Sequence, residues 1–292
     1  MEATGIIPTD RTDPLRAGLR EMWNSVADGW SEHADWADAR GSAVTDALLR
    51  LTAPRPGERV LELASGPGGG GIAAARLVGP EGEVVLSDVA PAMTVIAARR
   101  AQAAGLTNVS ARDLDLEDVA EPDAAYDVVL VREGLMLVVD PVGAVREIGR
   151  VLRSGGRAGI GVWGPRERNP WLALVLDAVG VQLGAPMPPP GVPGPFSLDD
   201  AERFVGVLTE GGLAGVRVDE VAVPYQATSF EDWWTRTSAL AGPMAKVLAS
   251  LPEPARRELE ARARAAAEPF RTETGYEFPG VALVAAATVS RS

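Results

Sequence analysis

From Leu15 onward the apolar positions recur at spacings of three and four. Leu19, Trp23, Val26, Ala27 and Trp30 share one face, which predicts an amphipathic helix after a polar, proline-containing tail over 1–14. A second helix is predicted over 42–51, ended by the turn Pro54-Arg55-Pro56-Gly57. Beyond it the pattern changes to short apolar runs alternating with helical stretches. The runs at 59–64, 83–88, 109–113, 126–131 and 157–163 predict strands, and 71–78, 91–104 and 141–152 predict helices. The run YDVVLV is nearly continuous in apolar character, as a strand covered on both faces must be. Strand and helix in alternation imply a parallel sheet with helices on both faces.

After Trp163 the alternation stops. A helix over 170–184 leads into PMPPPGVPGPF, where six prolines fall between Pro186 and Pro195. Such a stretch is stiff, extended and poor in backbone donors, suited to a strap over a surface. Ser197, with Asp200 three residues on, resembles a capping box for the next helix. Strands are predicted over 216–224 and 281–289, with helices beginning near Ser229 and Glu253 between them. The organisation expected is a tail with cap helices over 1–45 and a core over 46–292. The core carries insertions at about 164–200 and 229–275, which leave from the carboxyl ends of strands, where ligands of open α/β sheets bind.

Composition narrows the chemistry. The chain of 292 residues is 46% hydrophobic, enough for a core of ordinary size, and holds no cysteine and one histidine, His33. Disulfides and cysteine-ligated metals are excluded, and no metal site is expected. The net charge is −12, with Lys246 the sole lysine, so the chain repels phosphate backbones and nucleic acid is not an expected partner. The first residues lack the basic start and apolar stretch of a signal peptide, and no apolar run approaches a membrane helix. A cytoplasmic location, no membrane partner, a small-molecule substrate and, as the one assembly entertained, a homodimer are the expectations.

The informative segment is VLELASGPGGGG, Val60 to Gly71, in which a strand runs into glycines that open a helix. Glycine lets backbone approach a ligand closely, and the helix start offers unpaired N–H groups to an anionic group. Gly66-x-Gly68-x-x-Gly71 fits the dinucleotide pattern, which alone is weak. Glu62 stands four residues before Gly66, where dinucleotide-binding strands usually carry an apolar residue. Asp88 ends the second strand, where a carboxylate can accept ribose hydroxyls. Asp115 follows the third strand and can accept amino hydrogens from an adenine, with Asp113 as its rival.

Together with VVLSDVAPAM, DLDLEDVAEPDAAYDVVLVREGLM and REIGRVLRSGGRAGIGVWGPRERNPWLAL, this segment resembles the class I, Rossmann-like methyltransferases of the UbiE-like superfamily, over at least residues 58–175. The resemblance implies an α/β fold with a seven-stranded sheet ordered 3-2-1-4-5-7-6, its last strand antiparallel, and helical cap insertions. It implies S-adenosylmethionine as cofactor. Its amino-acid end would lie over Ala64, Ser65, Gly66 and Gly68 near Glu62, its ribose on Asp88, and its adenine between Val89, Met93 and the Asp115-Leu116 turn. The backbone at Arg132 would complete the pocket for the amino group.

The expected activity is methyl transfer to an oxygen, nitrogen or carbon of a small molecule, of a kind used in secondary metabolism. Glu133 departs from the family, which often places an apolar or small polar residue there; Glu133 as general base and His33 beside the acceptor are the catalytic candidates. Both have plainer readings, Glu133 as the partner of Arg132 and His33 as a packed or surface residue. Trp23, Trp30 and Trp36 read as packing, and at most one of Trp233 and Trp234 as a pocket residue. The acceptor is expected under a cap formed by the first helices, the proline stretch and the helices after Ser229. After the fourth strand there is no Asn/Asp-Pro-Pro-aromatic motif, which argues against an amino group of a DNA base as acceptor. Three competing readings stand: a methyltransferase fold catalysing a non-methylating step such as cyclisation, a nucleotide-dependent dehydrogenase, and a binding module.

Overall fold

The computed structural model describes residues 14–289; most of the tail expected at the N-terminus lies outside them. Four short helices come first, α1 (Pro14–Ser25), α2 (Ala27–Glu32), α3 (Ala34–Arg40) and α4 (Ser42–Thr52). The alternating core follows as β1 (Arg59–Leu63), α5 (Gly69–Val78), β2 (Glu83–Asp88), α6 (Pro91–Ala103), β3 (Val109–Asp113), β4 (Tyr126–Arg132), α7 (Pro141–Val151) and β5 (Leu152–Trp163). The remainder is α8 (Pro170–Leu183), α9 (Ala201–Glu210), β6 (Ala214–Ala222), β7 (Tyr225–Ala227), α10 (Phe230–Leu240), α11 (Pro243–Ser250), α12 (Glu253–Ala267), β8 (Arg271–Thr272), β9 (Gly275–Phe278) and β10 (Val281–Thr288).

The main sheet has seven strands in the order β3-β2-β1-β4-β5-β10-β6, which is the expected order with β10 as its seventh strand. β10 runs antiparallel to both β5 and β6. β1 and β4 are its centre, with Val60, Leu61, Leu63 and the run Val128–Val131 buried. Continuous apolar character is what a central strand needs, because neither face meets water. The edge strand β6 instead alternates half-buried with exposed positions over much of its length. α5 packs on β1 and β2, α6 on β2 and β3, and α4 on β5 and β10. No helix among the described residues is long and apolar enough to cross a membrane.

Four local expectations change. The single apolar stripe from Leu15 to Trp30 is broken at Val26, and further breaks follow at His33 and Gly41, where ψ lies between 4° and 12°. The breaks let Trp23 and Trp30 close on Ala90 and Met93 at the start of α6 while α3 turns toward the strand ends. The proline stretch is a chain of turns and bends, not extended. Asp200, rather than Ser197, caps α9, its side chain accepting from Arg203 N; the Ser197 hydroxyl accepts from Gly194 N. β5 begins before the predicted 157, because Leu152 pairs with Tyr126 before a bulge shifts the register to Arg157 opposite Val128. The second, three-stranded sheet β7-β9-β8 had no expectation in the sequence.

The loop after β1 shows why glycine stands at Gly68. It caps α5 at φ 85°, and a Cβ there would lie 2.8 Å from Leu86 Cδ1 and 3.1 Å from Ala97 Cβ. Gly68→Ala is therefore expected to cost about 1–3 kcal/mol from backbone strain and overpacking together. Urea denaturation of the variant checks it; an unchanged midpoint would mean that α6 yields freely.

Candidate functional site

At the carboxyl end of β1 the chain turns through three left-handed residues, Ala64 (φ 52°), Gly66 (φ 51°) and Gly68 (φ 85°). Three bonds hold the turn: Ser65 N–H donates to Ser87 O at 2.8 Å, Gly68 N–H to Ser65 O at 2.8 Å, and Gly66 N–H to Asp88 Oδ2 at 2.9 Å. The second Asp88 oxygen accepts from Ala90 N–H at 3.0 Å. Burial pushes the Asp88 carboxyl above its ordinary pKa, opposed by the N–H groups of Ala90, Gly66 and Val89. A Cβ placed on Gly66 would meet nothing within 4 Å, so the backbone there borders open space.

That space is a cavity of about 140 Å³. It gathers Ala64, Ser65, Gly66, Asp88, Val89, Met93, Asp115, Leu116, Arg132 and Glu133 of the expected site residues on one wall system. Asp115 faces it while its Oδ1 accepts from Glu117 N–H at 2.9 Å, so the same side chain also caps its own turn. Its rival Asp113 is taken up by the Thr94 hydroxyl at 2.6 Å and does not line the cavity. Arg16 and Glu117, which drew no attention in the sequence, form a 2.8 Å ion pair on the cavity wall and fasten α1 over it.

Three expected residues do not line the cavity. Glu62 lies behind the loop, its Oε2 accepting from Gly71 N–H at 2.7 Å and its carbonyl from the Ser87 hydroxyl at 2.9 Å. Burial lifts its pKa to about 7, against the opposing pull of Arg132 and of the Gly71 N–H. It thus shapes the loop from beneath. Gly68 is a packing position, as its neighbours Leu86 and Ala97 show. His33 sits half-buried at the junction of α2 and α3, apart from both cavity walls.

A second cavity, of about 200 Å³, opens beside the first and shares Leu19, Trp23, Trp30, Arg132, Glu133 and Leu137 with it. Its walls are overwhelmingly apolar: Trp36, Trp163 and Trp171 on one side, and the proline turns over Pro188–Pro195 on another. Trp23, Trp30 and Trp36, read from sequence as packing, all face it, whereas neither Trp233 nor Trp234 does. Trp233 instead donates its indole N–H to Trp171 O at 2.9 Å and stacks on Phe278.

Where the cavities meet, Arg132 donates to Asp38 Oδ1 and to the Thr45 hydroxyl, both at 2.9 Å. Asp38 also holds Arg100 at 2.8 Å. Arg132 is therefore committed, and among the described residues Glu133 is left without an ion pair. Glu133 occupies the left-handed region (φ 60°) with its N–H bonded to Gly161 O at 2.8 Å, and its buried Oε1 has no partner. Burial raises its pKa, opposed by Arg132 and Arg40. A non-glycine residue held left-handed costs about 1–3 kcal/mol and is kept where the surroundings demand it. Arg40 is the other buried charge, its guanidinium carbon 3.9 Å from the Trp171 ring centre, 5.0 Å from Tyr225 and 5.1 Å from Trp163. Burial lowers its pKa to about 10, with Glu133 and Tyr225 acting the other way.

Sheet order, glycine turn after β1 and acid at the end of β2 together define the class I, Rossmann-like methyltransferase architecture. Residues 54–161 match the family model described as a methyltransferase domain, and the chain has the Rossmann-like methyltransferase fold. The ubiquinone/menaquinone biosynthesis C-methyltransferase UbiE of Ectopseudomonas mendocina is 38% identical over 130 residues, 44% of this chain and 50% of the relative. The chain thus spans about half the length of the curated relatives it matches. Among solved structures, the YcgJ protein of Bacillus subtilis superposes with a TM-score of 0.57 at 18% identity, covering 85% of this chain and 99% of that one. The [4+2]-cyclase SpnF superposes with a TM-score of 0.52 at 20% identity, covering 84% of this chain and 80% of that one.

Two outcomes follow from these contacts. Asp88→Ala should weaken S-adenosylhomocysteine binding by about 1.5–3 kcal/mol, the scale of a hydrogen bond to a charged group; calorimetry showing wild-type affinity would place the ribose elsewhere. Glu62, with its folded pKa above its unfolded one, binds its proton more tightly in the native state. Its contribution to stability is therefore present at low pH and is lost as pH rises from the unfolded value through about 7. Glu62→Gln keeps an acceptor for Gly71 and removes the titration. Denaturation at pH 5 and pH 8 should show the wild type losing stability relative to the variant, by at most about 3 kcal/mol; parallel curves would refute the buried, proton-retaining Glu62.

Proposed function

We propose that this protein transfers a methyl group from S-adenosylmethionine to an apolar small molecule whose nucleophile carries an acidic proton, such as a phenol or an enol. The observation that carries this reading is the meeting of a mixed polar cavity and an apolar one at a buried carboxylate oxygen without a partner, Glu133 Oε1. The first cavity fits the cofactor on its own residues. Asp88 at the end of β2 would hold the ribose, Val89, Met93 and Leu116 would enclose the adenine, and the bare backbone at Gly66 would admit the amino-acid end.

The cofactor supplies an electrophilic methyl on a sulfonium. The protein's own share is to orient the acceptor, exclude water and receive a proton at Glu133. Residues 14–45 of the expected N-terminal cap and the insertions 164–200 and 229–275 are read as the acceptor cap, since Trp30, Trp36, Pro188–Pro195, Leu240 and Ala241 wall the second cavity. Relatives named as C-methyltransferases favour carbon as the methylated atom, which an enol or phenol ring also offers. The acidic chain supports a small acceptor over nucleic acid. Cyclisation of a bound apolar substrate is the second reading, favoured by the largely apolar second cavity and by the same fold in a cyclase.

The test is S-adenosylhomocysteine release from a panel of polycyclic phenols and enolic ketones, followed against pH. Turnover should rise with pH through the raised pKa of Glu133, later than an ordinary carboxylate allows. Glu133→Gln should lower turnover by about 10²–10⁴-fold and abolish that rise. Conversion without S-adenosylhomocysteine would favour cyclisation, and full turnover in the variant would remove Glu133 from the chemistry.

A further inference from the structure

The second cavity contains a charge pattern that its apolar walls make costly. Arg40 is enclosed by Trp36, Trp163, Trp171 and Tyr225, and its Nε–H is buried with no partner. Its Nη2 donates to Val223 O at 3.3 Å, and among the described residues no carboxylate lies within ion-pair distance of it. Glu133 lines the same cavity, equally buried, with Oε1 unpartnered. The two charges are close enough for each to shift the proton affinity of the other, yet no hydrogen bond or ion pair joins them. The indole N–H of Trp30, on the wall common to both cavities, is a third buried polar group without a partner and the second donor among them.

Unpaired polar groups at this depth cost several kcal/mol apiece unless something completes them. Arg132 does not, because Asp38 and Thr45 already occupy it. Cation–π contact with Trp171 stabilises the Arg40 charge but leaves its in-plane Nε–H wanting an acceptor. The cavity thus offers one acceptor oxygen and one separate planar donor, set among flat aromatic and proline surfaces.

We infer that Arg40 and Glu133 together read a hydroxyl–carbonyl pair on a ring-bearing apolar acceptor. The hydroxyl donates to Glu133 Oε1, and the neighbouring carbonyl or carboxylate oxygen accepts from Arg40 Nε–H. Arg40 is then the residue that sets specificity, and a plain phenol of the same size is a poorer ligand. This rests on the second cavity being the acceptor site, and it requires recognition by both oxygens at once.

Calorimetry with the full chain, with and without S-adenosylhomocysteine, tests it using three probes of one skeleton: 3-hydroxy-2-naphthoate, 2-naphthol and 2-naphthoate. The first should bind at least about tenfold more tightly than either of the others, the factor expected from one added hydrogen bond to a charged group. Arg40→Gln should bring 3-hydroxy-2-naphthoate down to the level of 2-naphthol while leaving 2-naphthol within about threefold of its wild-type affinity. Arg40→Lys, which keeps the charge but lacks the Nε–H and the planar fork, should lose most of the preference and serves if the Gln variant does not fold. Equal binding of the three probes to the wild type overturns the proposal, as does a preference that survives in either variant. S-adenosylhomocysteine binding without discrimination among the probes removes this recognition alone. Discrimination without S-adenosylhomocysteine binding removes the cofactor reading and leaves the recognition standing.

Discussion

The arrangement of this protein's site depends on one buried cation. Arg132 ends β4 at the centre of the sheet and reaches Asp38 on α3 and Thr45 on α4. Through Asp38 the same network takes in Arg100 of α6. A buried guanidinium with a missing partner is heavily penalised, so the N-terminal helices are held to the strand ends by the cost of releasing them. With α3 fixed there, Trp36 and Arg40 face the second cavity. With Arg132 engaged, the adjacent Glu133 is left with an unpaired oxygen at the boundary of two cavities. A single pairing thereby fixes where the N-terminal helices lie and which carboxylate stays unpaired.

The glycine loop works by a related principle, with buried acids setting backbone in place. Glu62 takes the N–H of Gly71 and Asp88 takes those of Gly66 and Ala90, so two carboxylates at the ends of neighbouring strands define one turn. Ala64 and Glu133, one after β1 and the other after β4, are both left-handed without being glycine. Strain at two adjacent strand ends is sustained by the well-packed strands beneath, whose apolar residues are fully buried. Rigid scaffold and strained rim are complementary parts of one site.

Much of the core was legible because its signals are local. The apolar runs of β1, β2 and β4 and the glycines opening α5 need only neighbouring residues to be read. Asp88 and Asp115 were likewise marked by their positions at strand ends, Val89, Met93 and Leu116 by the resemblance, and the structure brings all five to one cavity. Glu62 and Gly68 were marked by the same motif, yet they stand behind the wall, since spacing tells that a residue belongs to a loop but not which way its side chain points. His33 was singled out for its chemistry, and the fold gives it a place away from both cavities.

What the sequence determined by itself was the periodicity, hence the parallel sheet, together with the chemistry of the glycine turn; the strand order was implied by the resemblance. Only the tertiary structure decided the second cavity. Its wall joins Trp36 and Arg40 from α3, Trp163 from β5, Trp171 from α8, the proline turns and Tyr225 from β7, positions nearly two hundred residues apart in the chain. Tryptophans at helical spacing look the same in a sequence whether they fill a core or line a pocket. A lone arginine gives no sign that aromatic rings from four elements will enclose it, because burial and encirclement are properties of contacts that local pattern does not encode.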